Sequence, residues 1–223
     1  ADFDAADQAG ILRVLLTAAN GDFRYEADAR ALVAYIGRHL YRSGDGYFLG
    51  RRVGYRSAAG EQAWWADPVP YADRNAVLIS ACLAAAAQLR DNAAREMAMT
   101  AGAYLLDHCV DDQGSVRHTC TKAGGTLSGL LVDQMLATEA LLDLFEASGD
   151  NRYRDAAVRT MAYTEKNHYD LEQRMFVESP PNPAAGMIPA SDYRDGLSPA
   201  GNGLAAALYV RAGDLDRAAG LLD

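Results

Sequence analysis

The chain has 223 residues, half of them hydrophobic, with a net charge of −9 and a pI near 4.9. A large core is therefore available, while the acidic balance and scattered Lys and Arg exclude a phosphate-backbone partner, so no nucleic acid is expected. No apolar run reaches the roughly 18 residues of a membrane helix, and no membrane association is expected.

Taken in order, Asp7-Gln8 opens a first inner helix filled by Ile11, Leu12, Val14, Leu15 and Leu16. After Gly21-Asp22 an outer helix carries Tyr25, Ala29, Leu32, Val33, Ile36 and Leu40 on one stripe. A loop over 43–72 follows, and a loop that long in a helical domain is often functional. Its segment GDGYFLGRRVGYRS predicts a short β-hairpin, and Trp64-Trp65 and the DPVPY turn come after it. Tyr71-Ala72-Asp73-Arg74-Asn75 introduces the second inner helix. Its outer partner bears Ala94, Met97, Ala98, Ala101 and Leu105 and ends at the turn Asp111-Asp112-Gln113-Gly114.

SVRHTCTKAGG leads into a third inner helix that is apolar almost all round (Leu130, Leu131, Val132, Met135, Leu136, Leu141, Leu142, Leu144, Phe145), the pattern of a helix buried on every side. Gly149 ends it by taking the left-handed conformation a C-terminal cap needs. Tyr153, Ala156, Ala157, Thr160, Met161 and Thr164 then mark an amphipathic outer helix. A Pro-rich loop (Pro180, Pro181, Pro183, Pro189) leads to SPAGNGLAAALYV, the start of a fourth inner helix.

Ala157 and Tyr163 align with Ala98 and Tyr104 at a shift of 59, and a further 69 reaches Ala29 and Tyr35. Self-similarity at that period predicts an all-α, helical-hairpin repeat in one domain over 1–223. The hairpins fall at about 5–42, 73–111 and 126–170, with an incomplete one at 200–223. Three and a half hairpins do not close a ring. The expectation is a fragment, or a chain completed by a missing remainder of itself or by another subunit.

Specific similarity begins at the inner-helix starts. ADQAGILRVLLTAANGDFRY, VPYADRNAVLISACLAAA, LLVDQMLATEALLDLFEASGD and LSPAGNGLAAAL resemble, in order, segments of thioredoxin-domain-containing (spermatogenesis-associated) proteins. In that family a thioredoxin-like domain precedes a six-hairpin helical toroid. Arg74 stands where the family pattern has Trp, and no thioredoxin-like part is present in this sequence. The resemblance implies an (α/α) toroid, six-hairpin glycosidase-like and similar to N-acylglucosamine epimerases, and it carries fold more than chemistry.

Polar pairs open each inner helix: Asp7-Gln8, Asp73 with Asn75, Asp133-Gln134, and Gly201-Asn202. Parallel inner helices would gather them at one mouth of a central cavity. Carboxylates there can serve glycoside chemistry, although Asp and Asn also cap helix N-termini. Asp73 and Asp133 are the acid/base candidates, and His118, in the loop before the third inner helix, is a third. Trp64, Trp65 and Tyr71 offer a stacking platform for a sugar ring, with one tryptophan expected to face the cavity. Asn75, Gln134 and Asn202 complete a substrate-binding set. Asp192-Tyr193-Arg194-Asp195 reads as a surface turn. His39, His108 and His168 fall at outer-helix ends, where a cation suits the dipole.

No metal, nucleotide or nucleophile-elbow motif occurs, so no metal or cofactor is expected. Cys82 reads as core. Cys109 and Cys120 could meet across a loop, but a reduced, cytoplasmic chain is the expectation, because the opening ADFDAADQ lacks a signal-peptide pattern. The leading function is a carbohydrate-active domain that hydrolyses or epimerises a sugar or polyol. The rivals are a non-catalytic helical scaffold and an apolar lipid site.

Overall fold

The computed structural model describes residues 2–20, 22–121, 127–178 and 201–221. The Pro-rich segment and Asp192–Asp195 lie outside them, as does Gly21.

Among the described residues the helices come in pairs. α1 (Ala5–Ala19) is followed by α2 (Phe23–His39), α3 (Ala72–Leu89) by α4 (Asn92–His108), and α5 (Leu131–Ser148) by α6 (Asn151–His168). α7 (Gly201–Ala212) and the short α8 (Leu215–Gly220) begin a fourth pair. Each inner helix packs on its own outer helix and on the next inner one, in the order α1, α3, α5, α7. The result is an all-α row of hairpins forming part of an (α/α) toroid of the six-hairpin glycosidase-like type.

Burial follows this layering. α5 buries Leu131, Met135, Leu136, Leu141 and Leu144 on several faces, together with Asp133, Gln134 and Thr138. α6 buries one stripe, Tyr153, Ala156, Ala157, Thr160 and Thr164. Gly149 caps α5 at φ 72°, and Arg90 takes the same left-handed role after α3 at φ 55°. The four outer helices are N-capped by Asp22, Asp91, Asp150 and Asp214, whose carboxylates accept free backbone N–H groups. α3 and α5 start at Tyr71 and Leu130 with no side-chain cap. Capping therefore does not account for Asp73 and Asp133, which stand inside the first turn.

The predicted hairpin over 44–57 is divided between two sheets. Gly46 (φ 82°) reverses the chain, so that β3 (Tyr47–Phe48) pairs back onto β2 (Tyr41–Arg42). β4 (Arg51–Arg56) instead joins β1 (Asp2–Asp4) and β5 (Gln62–Ala66) in the order β1-β4-β5. A second two-residue ribbon, β6 (Tyr169–Asp170) with β7 (Met175–Phe176), repeats the β2-β3 register after α6.

The expectation of reduced cysteines is corrected. Cys109 and Cys120 form a disulfide with their Cα atoms 4.9 Å apart. The Val110–Val116 bridge and the Arg117 N–H to Cys109 carbonyl bond fold the intervening loop back on itself, which spacing alone did not reveal. The pairing removes one reason for expecting a reducing compartment. Cys82 is free and buried. No described helix is long and apolar enough to cross a membrane.

Candidate active site

The chain between the paired cysteines carries His118, and four devices fix its course. Asp111 accepts from the Gln113 and Ser115 N–H groups, closing the turn. Gly114, at φ 89°, lies so close to the α6 backbone that a Cβ there would sit 2.3 Å from the Arg159 carbonyl oxygen. Gln134 reaches from α5 to accept the Val116 N–H and donate to the Gly114 carbonyl and the Thr164 hydroxyl. At His118 itself the backbone N–H donates to the Leu127 carbonyl, and its carbonyl accepts from Ala72 at the start of α3. Two inner helices thus hold the histidine from both sides.

The Nδ1 of His118 lies 2.9 Å from the Oδ2 of Asp133. With Asp133 ionised and the ring neutral, the carboxylate can only accept, which places the ring proton on Nδ1 and leaves Nε2 as the basic nitrogen. That hydrogen bond raises the His118 pKa above the ordinary histidine value, against the opposing effect of burial. Asp133 is fully buried, and its Oδ1 has no hydrogen-bond partner among the described residues. Burial pushes its carboxyl pKa up, while the bond from His118 pulls the other way. An under-satisfied buried carboxylate costs stability and marks a place where chemistry is a plausible return.

Asp73 joins them from the neighbouring helix. Its Oδ1 accepts the Arg74 N–H at 2.7 Å and its Oδ2 is in close contact with the Arg74 guanidinium, which also stands 3.9 Å from Asp4. Polar atoms of Asp73, His118 and Asp133 fall within 4.8 Å of one another, near enough to share a cation, although no sequence motif announced it. Arg74 already supplies positive charge there. Tyr71 brings its ring centroid to 5.3 Å from His118 and donates its hydroxyl to Asp67. A cavity of about 310 Å3 opens beside these groups, lined by Asp4, Arg51, Asp67, Tyr71, Arg74 and His118. A larger hollow of about 690 Å3 adjoins Asp73, with Asp7, Gln8, Ile11, Val77 and Leu136 on its wall.

The predicted set therefore divides. Asp73, His118, Asp133 and Tyr71 are brought together. Asn75 is committed elsewhere: it accepts from the Phe48 N–H and donates to the Phe48 and Tyr71 carbonyls. Asn202 grips Phe176 in the same two-bond manner, and Gln134 holds the His118 loop as described. Each of these amides fastens the turn that follows the preceding outer helix, so their recurrence reflects assembly of the repeat. Trp64 is pinned by Phe3, with ring centroids 6.0 Å apart, and by the Arg52 guanidinium at 4.2 Å. Neither tryptophan lines the cavity at His118. His168 is not a capping cation, because it is 1% exposed, bonded to the Val177 carbonyl, and its pKa is lowered by burial. Arg74, Asp67 and Arg51 were not anticipated at the site. Their only sequence signal was nearness to Asp73 and to the long loop.

Comparison with solved structures agrees with the fold. The chain is similar to a sugar epimerase from a ruminal bacterium (TM-score 0.71, 14% identity, covering 99% of this chain and 58% of that one). It is likewise similar to a family 76 glycoside hydrolase from a bovine Bacteroides thetaiotaomicron strain (TM-score 0.70, 13% identity, 99% and 47%). A third is cellobiose 2-epimerase from Spirochaeta thermophila (TM-score 0.66, 16% identity, 80% and 46%). The chain spans about half the length of these proteins. No family model matches, and no curated protein matches.

Proposed function

We propose that this chain carries a sugar-processing site at the mouth formed by the inner-helix N-termini, and that its chemistry is reversible proton transfer beside a sugar carbonyl, as in epimerisation or isomerisation. The observation that carries this reading is the His118–Asp133 pair, with His118 on the wall of a polar cavity. Asp133 would fix the ring tautomer and stabilise the imidazolium. His118 Nε2 would take the proton from the carbon next to the carbonyl of an open-chain sugar, leaving its electron pair in an enediolate, and would return a proton to collapse it. Arg74 and Tyr71, on the same cavity wall, would supply donors to the developing oxyanion and the hydroxyls, and Asp73 would be the second acid/base group.

Hydrolysis fits less well. Two carboxylates flanking a glycosidic bond stand at least about 5 Å apart and both face the substrate. Here Asp133 is fully buried, bonded to His118 and absent from the cavity wall. The similar structures include sugar epimerases and a D-mannose isomerase as well as glycoside hydrolases, so the preference for proton transfer rests on the geometry at His118.

The test is incubation with mannose, glucose and cellobiose in D2O, followed by NMR. Deuterium entering at the carbon beside the carbonyl, and lost with His118→Gln, is the expected result. Release of new reducing ends without exchange would move the assignment to hydrolysis. Because His118 must be neutral to act as base and its pKa is raised, the acid limb of the rate profile is expected above the ordinary histidine value of about 6.5. Absence of both exchange and binding would favour a non-catalytic helical scaffold. Membership of the thioredoxin-domain family remains our proposal, checked by whether the encoding gene carries a thioredoxin-like segment upstream.

A further inference from the structure

The β4-β5 ribbon grows directly out of the cavity wall. Arg51 and Asp67 both line the cavity at His118, and the Asp67 N–H to Arg51 carbonyl bond extends the ladder one step past the Arg52–Ala66 pair. Successive side chains of a strand alternate between faces. One face therefore carries Arg51, Val53 and Tyr55 on β4 with Ala63, Trp65 and Asp67 on the other strand. The opposite face carries Arg52, Gly54 and Trp64, whose ring is held by its neighbours although it remains 39% exposed. The Trp64 ring lies over Gly54, where an added Cβ would meet it at 2.9 Å, and packs against Phe3 and Arg52.

The face continuous with the cavity is open. Trp65 is 47% and Tyr55 51% exposed, and neither has a ring or cation partner among the described residues. Their pairing partners, Val53 and Ala63, make the two aromatics diagonal neighbours, about 7–8 Å apart. Trp65 in turn stands two residues, roughly 7 Å, above Asp67. Rigid aromatic rings paired this way offer apolar area at low entropic cost. The charged Arg51 and Asp67 between them and His118 suit hydroxyl groups.

We propose that this ribbon face is an outer sugar subsite, with Trp65 and Tyr55 each stacking a pyranose ring, and that the substrate is an oligosaccharide rather than a single sugar. Its reducing-end ring reaches His118 while the preceding rings lie along the ribbon. The proposal rests on the sugar reading of the site given above. It removes Trp64 from the expected platform and adds Tyr55.

The experiment compares wild type with Trp65→Ala, Trp65→Phe and Tyr55→Ala, using glucose and mannose as single-ring probes and cellotetraose and mannotetraose as longer ones. Deuterium exchange at the reducing end and quenching of tryptophan fluorescence are the two readouts, and thermal midpoints confirm folding. Trp65→Ala is expected to raise KM for a longer probe about tenfold with kcat unchanged, to leave the single-ring reaction alone, and to be largely rescued by Phe. Tyr55→Ala gives a smaller loss of the same kind.

Equal effects on short and long probes, or none on either while His118→Gln still abolishes exchange, would overturn the subsite and leave the site reading standing. A wild type that neither binds nor exchanges any of the four would remove both.

Discussion

Aspartates stand at the starts of both helix layers, and they meet opposite fates. Asp22 and Asp150, ahead of the outer helices, are open to water, cap a backbone N–H and grip Arg24 and Arg152; those hydrogen bonds hold their pKa values below the ordinary carboxylate range. Asp133, in the first turn of an inner helix, is fully buried, caps nothing and has one oxygen without a partner among the described residues, and burial drives its pKa the other way. Outer aspartates contribute to stability at neutral pH. Asp133 gives stability up to hold a histidine.

The sharpest way to break this contrast is Asp133→Asn. Under the proposed mechanism it should cut kcat by about 10²–10⁴, because the amide no longer favours the productive ring state. Without the carboxylate the His118 pKa falls, so the acid limb of kcat/KM moves to lower pH. The urea midpoint should not fall, since a buried anion has been removed. A collapse of stability instead would make Asp133 a structural residue.

Next in size is Asn75→Ala. It strands the buried Phe48 N–H and carbonyl and is expected to cost about 4 kcal/mol in urea unfolding, since each orphaned group costs about 1–3 kcal/mol. Replacing Cys109 and Cys120 by Ser opens the loop that presents His118. Loop entropy puts the cost at about 3 kcal/mol, with exchange activity falling alongside. Smallest is Asp91→Ala, which removes a single outer cap at Ala94 and should cost about 1 kcal/mol with kinetics untouched.

The two engaged histidines extend the contrast to pH. His168 has a lowered folded pKa, so the unfolded chain binds the extra proton first. Its contribution is whole above about pH 6.5 and lost as pH falls below it. The raised pKa of His118 works in reverse: its contribution is present below about 6.5 and lost as pH rises through the folded value. Urea midpoints measured with His168→Gln should show a flatter acid side, and with His118→Gln a flatter alkaline one.

How much of this was legible in the chain differs by residue. The stripe on α6 and the Gly149 stop are local: apolar spacing and a glycine's left-handed freedom act over a turn or two, so sequence carries them. Asp73, His118 and Asp133 were legible as candidates because polar residues interrupt otherwise apolar helix starts. Their convergence was not, since it depends on a bridge between Tyr71 and Thr119 and on a disulfide that joins residues 11 apart. Asn75, Gln134 and Asn202 looked like ligands, and in the structure their amides hold backbone groups of the preceding turns. An amide's sequence does not say which backbone it will meet.

By itself, then, the sequence determined the repeat, the layering and the polar ends of the inner helices, because each follows from periodicity and from where an apolar face must be buried. Only the tertiary structure decided which carboxylates cap helices and which one is sealed beneath a histidine, and which tryptophan packs on Phe3 and Arg52. Those outcomes depend on water being excluded by neighbours distant in the chain, and burial of that kind is a property of the packed whole.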